Sequence, residues 1–157
     1  VKEAFDVTLF FYNPNIDGPE EYKKRAEELL RLAEYFSVKA VIEKFRPEEF
    51  FAAAKGLETA PERGARCEKC FYLRLSETAR AAKLGAYDYF ATTLTLSPLK
   101  NAAMVNAAGF LAEKDLGVKY FPSDFKKRNG YLRSIELSSA LGLYRQSYCG
   151  CTFSKNV

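Results

Sequence analysis

The sequence predicts a single α/β domain over residues 1–157, with a mostly parallel sheet flanked by helices. Three observations predict it. Short apolar runs alternate with longer amphipathic stretches throughout the chain, the pattern of strand–helix–strand units whose strands run parallel. Of the 157 residues 48% are hydrophobic and 28% charged, which suffices for one core and argues against disorder. No internal repeat, low-complexity tract or linker interrupts the alternation.

Each element has a local reason. "DVTLFFYN", residues 6–13, is a continuous apolar run suited to a buried strand. In "PEEYKKRAEELLRLAEYF", residues 19–36, Tyr22, Ala26, Leu29, Leu30, Ala33 and Phe36 recur at helical spacing, and Pro19 suits a first turn. "VKAVIE" reads as a second strand and "PEEFFAAAKG" as a short helix. After a polar loop, "CEKCFYLRLSETARAAKLG" predicts a helix ending near Gly85, and "YDYFATT" a third strand. Ser97 and Pro98 offer a cap and first turn for a helix through "NAAMVNAAGFLAEKDLG", which leads to the strand "VKYFP". A last helix, "YLRSIELSSALG", precedes the tail.

In such a Rossmann-like sheet, ligand chemistry gathers at the carboxyl ends of the strands, and the first strand usually lies in the middle. The chain starts at Val1 without methionine and enters a strand almost at once, so a further strand and loop are expected upstream.

Composition excludes several classes of chemistry. There is no histidine, which removes the commonest general base, the Ser-His triads and every His-containing zinc site. No stretch reaches the about 20 apolar residues that span a bilayer, and no secretory cleavage site follows the first residues, so a cytoplasmic protein without membrane contact is expected. No glycine-rich phosphate loop of an ATP-using enzyme is visible. A net charge of +4 permits a polyanionic partner without requiring one.

All four cysteines fall in two tight pairs, Cys67/Cys70 and Cys149/Cys151. Two cysteines three apart at a helix start share a face and can both ligate one metal, while the helix dipole, Arg66 and Lys69 favour their thiolates. Structural zinc, an iron–sulfur cluster and thiol redox chemistry are all compatible with that pair, and zinc closed by Cys149 and Cys151 would use every thiol. Cys67, Cys70 and Cys149 are expected at the carboxyl edge of the sheet. Asn13 and Asn15 follow the first strand and should lie at the same edge, as a substrate-binding segment or as a simple Asn-Pro turn. "DFKKRNGYLRS" gathers Lys126, Lys127, Arg128 and Arg133 around Tyr131, either a solvated loop or a phosphate-binding patch with an aromatic for stacking.

"VTLFFYNPNI", "GARCEKCFYLRLSETA", "DYFATTLTLSPLKN" and "YFPSDFKKRNGYLRSIELSSALGLYRQSYCGC" together resemble the QueH-type epoxyqueuosine reductases, the cobalamin-independent enzymes of queuosine biosynthesis in tRNA. The resemblance covers nearly the whole chain in matching order. It implies an adenine nucleotide hydrolase-like fold and reduction of epoxyqueuosine to queuosine at the wobble position of tRNA, with an unidentified electron donor. It implies that Cys67 and Cys70 are two ligands of a 4Fe-4S cluster and that Cys149 and Cys151 form a redox-active dithiol. The family's other two cluster ligands come from a Cys-Cys-x-Pro-Cys motif after its first strand, which this sequence does not contain. An additional iron is left open. Tyr12, Tyr148 and Asp124 are candidate proton donors, with a purely structural role the stronger reading for each because aromatic and acidic residues are plentiful here. The alternative from another class is a zinc-binding, tRNA-binding module without catalysis.

Overall fold

The computed structural model describes residues 3–155. Strand β1, Thr8–Phe11, leads into helix α1, Pro19–Phe36, and returns through strand β2, Lys39–Ile42, to helix α2, Pro47–Ala54. Helix α3, Ala65–Leu84, is followed by strand β3, Tyr89–Phe90, helix α4, Ala102–Leu116, strand β4, Lys119–Tyr120, and helix α5, Gly130–Ala140. The α/β alternation is as expected, and every strand pairing is parallel.

The sheet differs from expectation in extent. Among the described residues the strands form two pairs, β1 with β2 and β3 with β4, that are not hydrogen-bonded to each other. Each strand is shorter than its apolar run. Beyond β4, one further bond from the Phe121 N–H to the Phe90 carbonyl extends the ladder, and Pro122 then has no N–H to donate. The run after β3 folds instead into a 3-10 turn, Leu94–Leu96, whose first N–H donates to Thr92 Oγ1.

Three apolar clusters hold these elements together. The largest packs α3 against α4 and the β3–β4 pair through Leu75, Ala79, Val105, Ala112 and Tyr120. Small residues along both helices let them approach closely. A second cluster joins β1 and α1 through Phe11, Ile16, Tyr22 and Ala26. Leu30, expected on the buried face of α1, is 46% exposed, because Tyr22, Ala26 and Ala33 define a narrower stripe.

The start of α4 also corrects a sequence expectation. Ser97 and Pro98 do not cap it; Asn101 does, its side chain accepting from the N–H groups of Ala103 and Met104. Asparagine is among the best capping residues, and Ser97 is spent on a local bond from the Leu99 N–H. Helix α5 buries none of its residues fully.

The third cluster carries the chemistry. It comprises Phe50 and Ala54 of α2, Cys70 of α3 and Cys151 of the tail, with Leu73, Cys149 and Phe153 against them.

Candidate active site

One cavity is lined by all four cysteines, together with Asn15, Phe50, Glu62, Arg66, Phe71, Arg74, Lys100 and Ser154. Its walls combine Asn15 after β1, Phe50 of the helix after β2 and Lys100 after β3, at the carboxyl ends where an α/β sheet places its ligands, with α3 and the tail beyond α5. The two cysteine pairs, 79 residues apart at their nearest members, therefore meet at the expected edge.

Cys67 and Cys70 lie in the first two turns of α3, which begins two residues earlier than its sequence suggests. The Arg63 N–H donates to Cys67 Sγ at 3.3 Å. Cys70 is more deeply set, and burial pushes its thiol up to about 11 against the pull of Arg74. Arg74 stands one helical turn beyond Cys70 on the same face, and it donates to the side-chain oxygen of Asn13. Lys100 carries its ammonium 3.8 Å from Glu62 in a largely buried position.

Arg66, expected to favour thiolates, does line the cavity, 4% exposed, with its guanidinium donating to the carbonyls of Leu57, Glu58 and Ala60. Lys69 is exposed and lies outside the cavity, because the helix turns it away from the thiol face. Arg74 and Lys100 supply the charge expected of it.

The tail reaches the cavity through a sharp turn. Gly150 has φ 105°, a conformation that favours glycine, and a Cβ there would stand 2.9 Å from Arg25 Nη1. The turn places the Cys151 N–H 3.5 Å from Cys149 Sγ and Ser154 Oγ 3.0 Å from that sulfur. The two thiols are unequal. A hydrogen bond from the Cys151 side chain holds Cys149 well below the usual thiol range although its own burial opposes this, and Ser154, the Cys151 N–H and Lys100 add to the effect. The same bond and burial push Cys151 in the opposite direction. The pair is therefore asymmetric, with the negative charge favoured on Cys149 over Cys151.

Among the described residues no three cysteine, aspartate or glutamate side chains are grouped to hold a single metal ion. The four thiols line a common space.

The other sequence candidates are distributed as follows. Asn15 lines the cavity, 4% exposed, with its Oδ1 unpartnered. Asn13 is held by Arg74 just outside it. Lys126, Lys127, Arg128, Tyr131 and Arg133 do not line it. Lys126 and Lys127 pair with Asp124 at 2.7 and 3.5 Å, while Lys127, Arg128 and Arg133 are exposed and Tyr131 is half-buried. The segment is tied to the cavity wall by the Lys126 ammonium, 3.5 Å from the Lys100 carbonyl. Of the candidate proton donors, Tyr12 is bonded to Glu49 and its phenol is raised well above the ordinary range, chiefly by burial. Asp124 is held below the carboxylate range by Lys126. Tyr148 lies under Arg25. None of the three lines the cavity.

Fold and site define an α/β protein that joins a cation-lined thiol cavity to an adjacent dithiol turn. The family model described as epoxyqueuosine reductase QueH matches residues 1–157, and the chain belongs to that family. Relatives named epoxyqueuosine reductase QueH include one from Staphylococcus epidermidis, 43% identical over 95% of this chain and 66% of the relative. One from Streptococcus pyogenes is 41% identical over 97% of this chain and 62% of the relative. One from Thermotoga maritima is 40% identical over 95% of this chain and 79% of the relative. The chain spans less than two thirds of the length of the staphylococcal and streptococcal relatives. No helix among the described residues is long and apolar enough to cross a membrane.

Proposed function

We propose that the protein containing this chain reduces epoxyqueuosine to queuosine in tRNA, in the cytoplasm, with Cys149 and Cys151 as its turnover dithiol. The observation that carries this reading is the meeting of both cysteine pairs in one cavity with Arg66, Arg74 and Lys100. Removing an epoxide oxygen to leave an alkene takes two electrons and two protons and releases water. A dithiol closing to a disulfide supplies two of each, so Cys149 and Cys151 balance one turnover, and an external reductant restores them.

The cavity also suits an iron–sulfur cluster. Cys67 and Cys70 present two sulfurs from one helix face, and the three cations offset the negative charge of a thiolate-bound core. These two residues would be two of its ligands, the rest lying outside this set; such a cluster supplies electron relay and a Lewis-acidic iron. Asn15 offers an unpartnered acceptor at the same wall. Lys100, at the cavity wall, is the cation we assign to steady charge that develops on a departing oxygen.

The basic segment is the proposed tRNA-binding surface. Lys127, Arg128 and Arg133 are exposed and adjoin the cavity wall through Lys126 and Lys100. A pair of reversals, Lys127→Glu with Arg128→Glu, tests the tRNA reading in one experiment. Wild-type protein is expected to convert epoxyqueuosine in tRNA. The variant should bind that tRNA more weakly, with a flatter salt dependence: the slope should fall by roughly one unit or slightly less for each phosphate no longer neutralised. Absence of conversion by the wild type contradicts the proposed function, and an unchanged salt slope returns the segment to a solvated surface.

A further inference from the structure

Three consecutive carbonyls of the tail are held from one stretch of chain. The Asp17 N–H donates to the Gly150 carbonyl at 2.7 Å. Arg25 Nη1 donates to the Cys149 carbonyl at 3.1 Å, and Nη2 lies 3.5 Å from the Tyr148 carbonyl. The guanidinium is itself fixed. Its Nε donates to Glu21 Oε1 at 2.7 Å, one turn earlier on α1, and its carbon sits 5.2 Å from the centre of the Tyr148 ring.

Arg25 is remote from Cys149 in sequence, its side chain is only 9% exposed, and it does not line the cysteine cavity. Withdrawing a guanidinium from water carries a desolvation cost that an apolar residue at the same place would not. Here the charge is used on main-chain carbonyls at the dithiol turn. The planar fork matters, since one side chain spans two successive carbonyls with its geometry preset.

We propose that Arg25 is the positioning residue of the dithiol: it fixes the Tyr148-Cys149 backbone, beside the Gly150 carbonyl held by Asp17, so that the two sulfurs stay within reach, which favours the disulfide. This rests on the reading of Cys149 and Cys151 as a redox pair. On closure two S–H bonds break and one S–S bond forms, two protons leave, and two electrons pass to an acceptor, the epoxide in turnover or a small-molecule disulfide in an assay. With the turn held, the second sulfur faces the first at high effective concentration. Without the clamp, closure must first order the turn, and the dithiol becomes the favoured form.

The test equilibrates the intact protein, under anaerobic conditions, with graded ratios of reduced and oxidised dithiothreitol, then quantifies the Cys149–Cys151 disulfide by alkylation and peptide mass. Arg25→Gln should shift the equilibrium toward the dithiol by about tenfold, corresponding to about 30 mV for a two-electron couple. Arg25→Lys keeps the charge without the fork and should shift it in the same direction. A wild-type equilibrium in Arg25→Gln overturns the proposal, and so does full rescue by lysine. If Arg25→Gln does not fold, Glu21→Leu decides, because it removes the carboxylate that fixes the guanidinium while keeping Arg25 itself: a shift toward the dithiol supports the clamp and no shift overturns it. A wild type that forms no disulfide at any ratio defeats the redox-pair reading and the clamp with it, whereas equal disulfide in wild type and variant defeats the clamp alone.

Discussion

Cys149→Ala and Cys151→Ala are each expected to abolish multiple-turnover reduction of epoxyqueuosine in tRNA while leaving the iron and sulfide of the intact protein at wild-type content. The expected loss is at least about a thousandfold, equivalent to about 4 kcal/mol of barrier. The physical reason is electron balance. A single remaining thiol can neither supply two electrons nor close a ring, whichever sulfur is removed. The two substitutions should differ in detail, since the side-chain hydrogen bond between them lowers the pKa of Cys149 and raises that of Cys151. Cys151→Ala should therefore also raise the pKa read from the alkylation rate of Cys149. A zinc site built from all four thiols predicts instead that either substitution expels metal and destabilises the domain. Metal content, thermal stability and turnover measured on the same variant separate these outcomes: metal loss defeats the redox-pair reading, and normal turnover defeats it equally.

Cys67→Ser and Cys70→Ser should act on the other half of the site. Serine offers a harder oxygen that is poorly deprotonated, so iron and sulfide should fall to near background and activity should fall with them. Cys70 is the more demanding position. It belongs to the apolar cluster of Phe50, Ala54 and Cys151, so serine there also buries a hydroxyl among apolar neighbours and is expected to lower stability by about 1–3 kcal/mol. Cys67 is partly exposed, and its replacement should cost little stability. Iron and sulfide at wild-type levels in both variants would remove these residues as ligands.

Much of this site is legible in the sequence because its parts are local. The Cys67/Cys70 spacing on a helix, the Cys149-Gly150-Cys151 turn and the placement of Asn15 after the first strand follow from periodicity and turn chemistry. Arg74 is also within reach, since it lies four residues beyond Cys70 on the same helix. Lys100, Ser154 and Arg25 are not. Lys100 sits in a connection with no periodicity to aim it, and Arg25 looks like any charged residue on the solvent side of α1 until the tail folds back across that face. Helices are more legible here than strands. A 3.6-residue stripe survives in isolation, whereas a short apolar run becomes strand only where a partner donates and accepts, so β3 and β4 shrink to two residues each. The shifted start of α4 has the same origin: two plausible caps stand four residues apart, and the one whose side chain reaches both free N–H groups prevails.

The central claim is that Cys149 and Cys151 are the electron source beside a site that Cys67 and Cys70 help to build. Its most direct test is a single turnover. Intact protein is reduced, freed of external reductant, and mixed with tRNA bearing epoxyqueuosine; queuosine formed and free thiols at each cysteine are then counted in the same sample by mass spectrometry. The account predicts one Cys149–Cys151 disulfide for each queuosine formed, with no second turnover until a reductant is added. Queuosine formed in full amount while Cys149 and Cys151 both remain open to alkylation would contradict it.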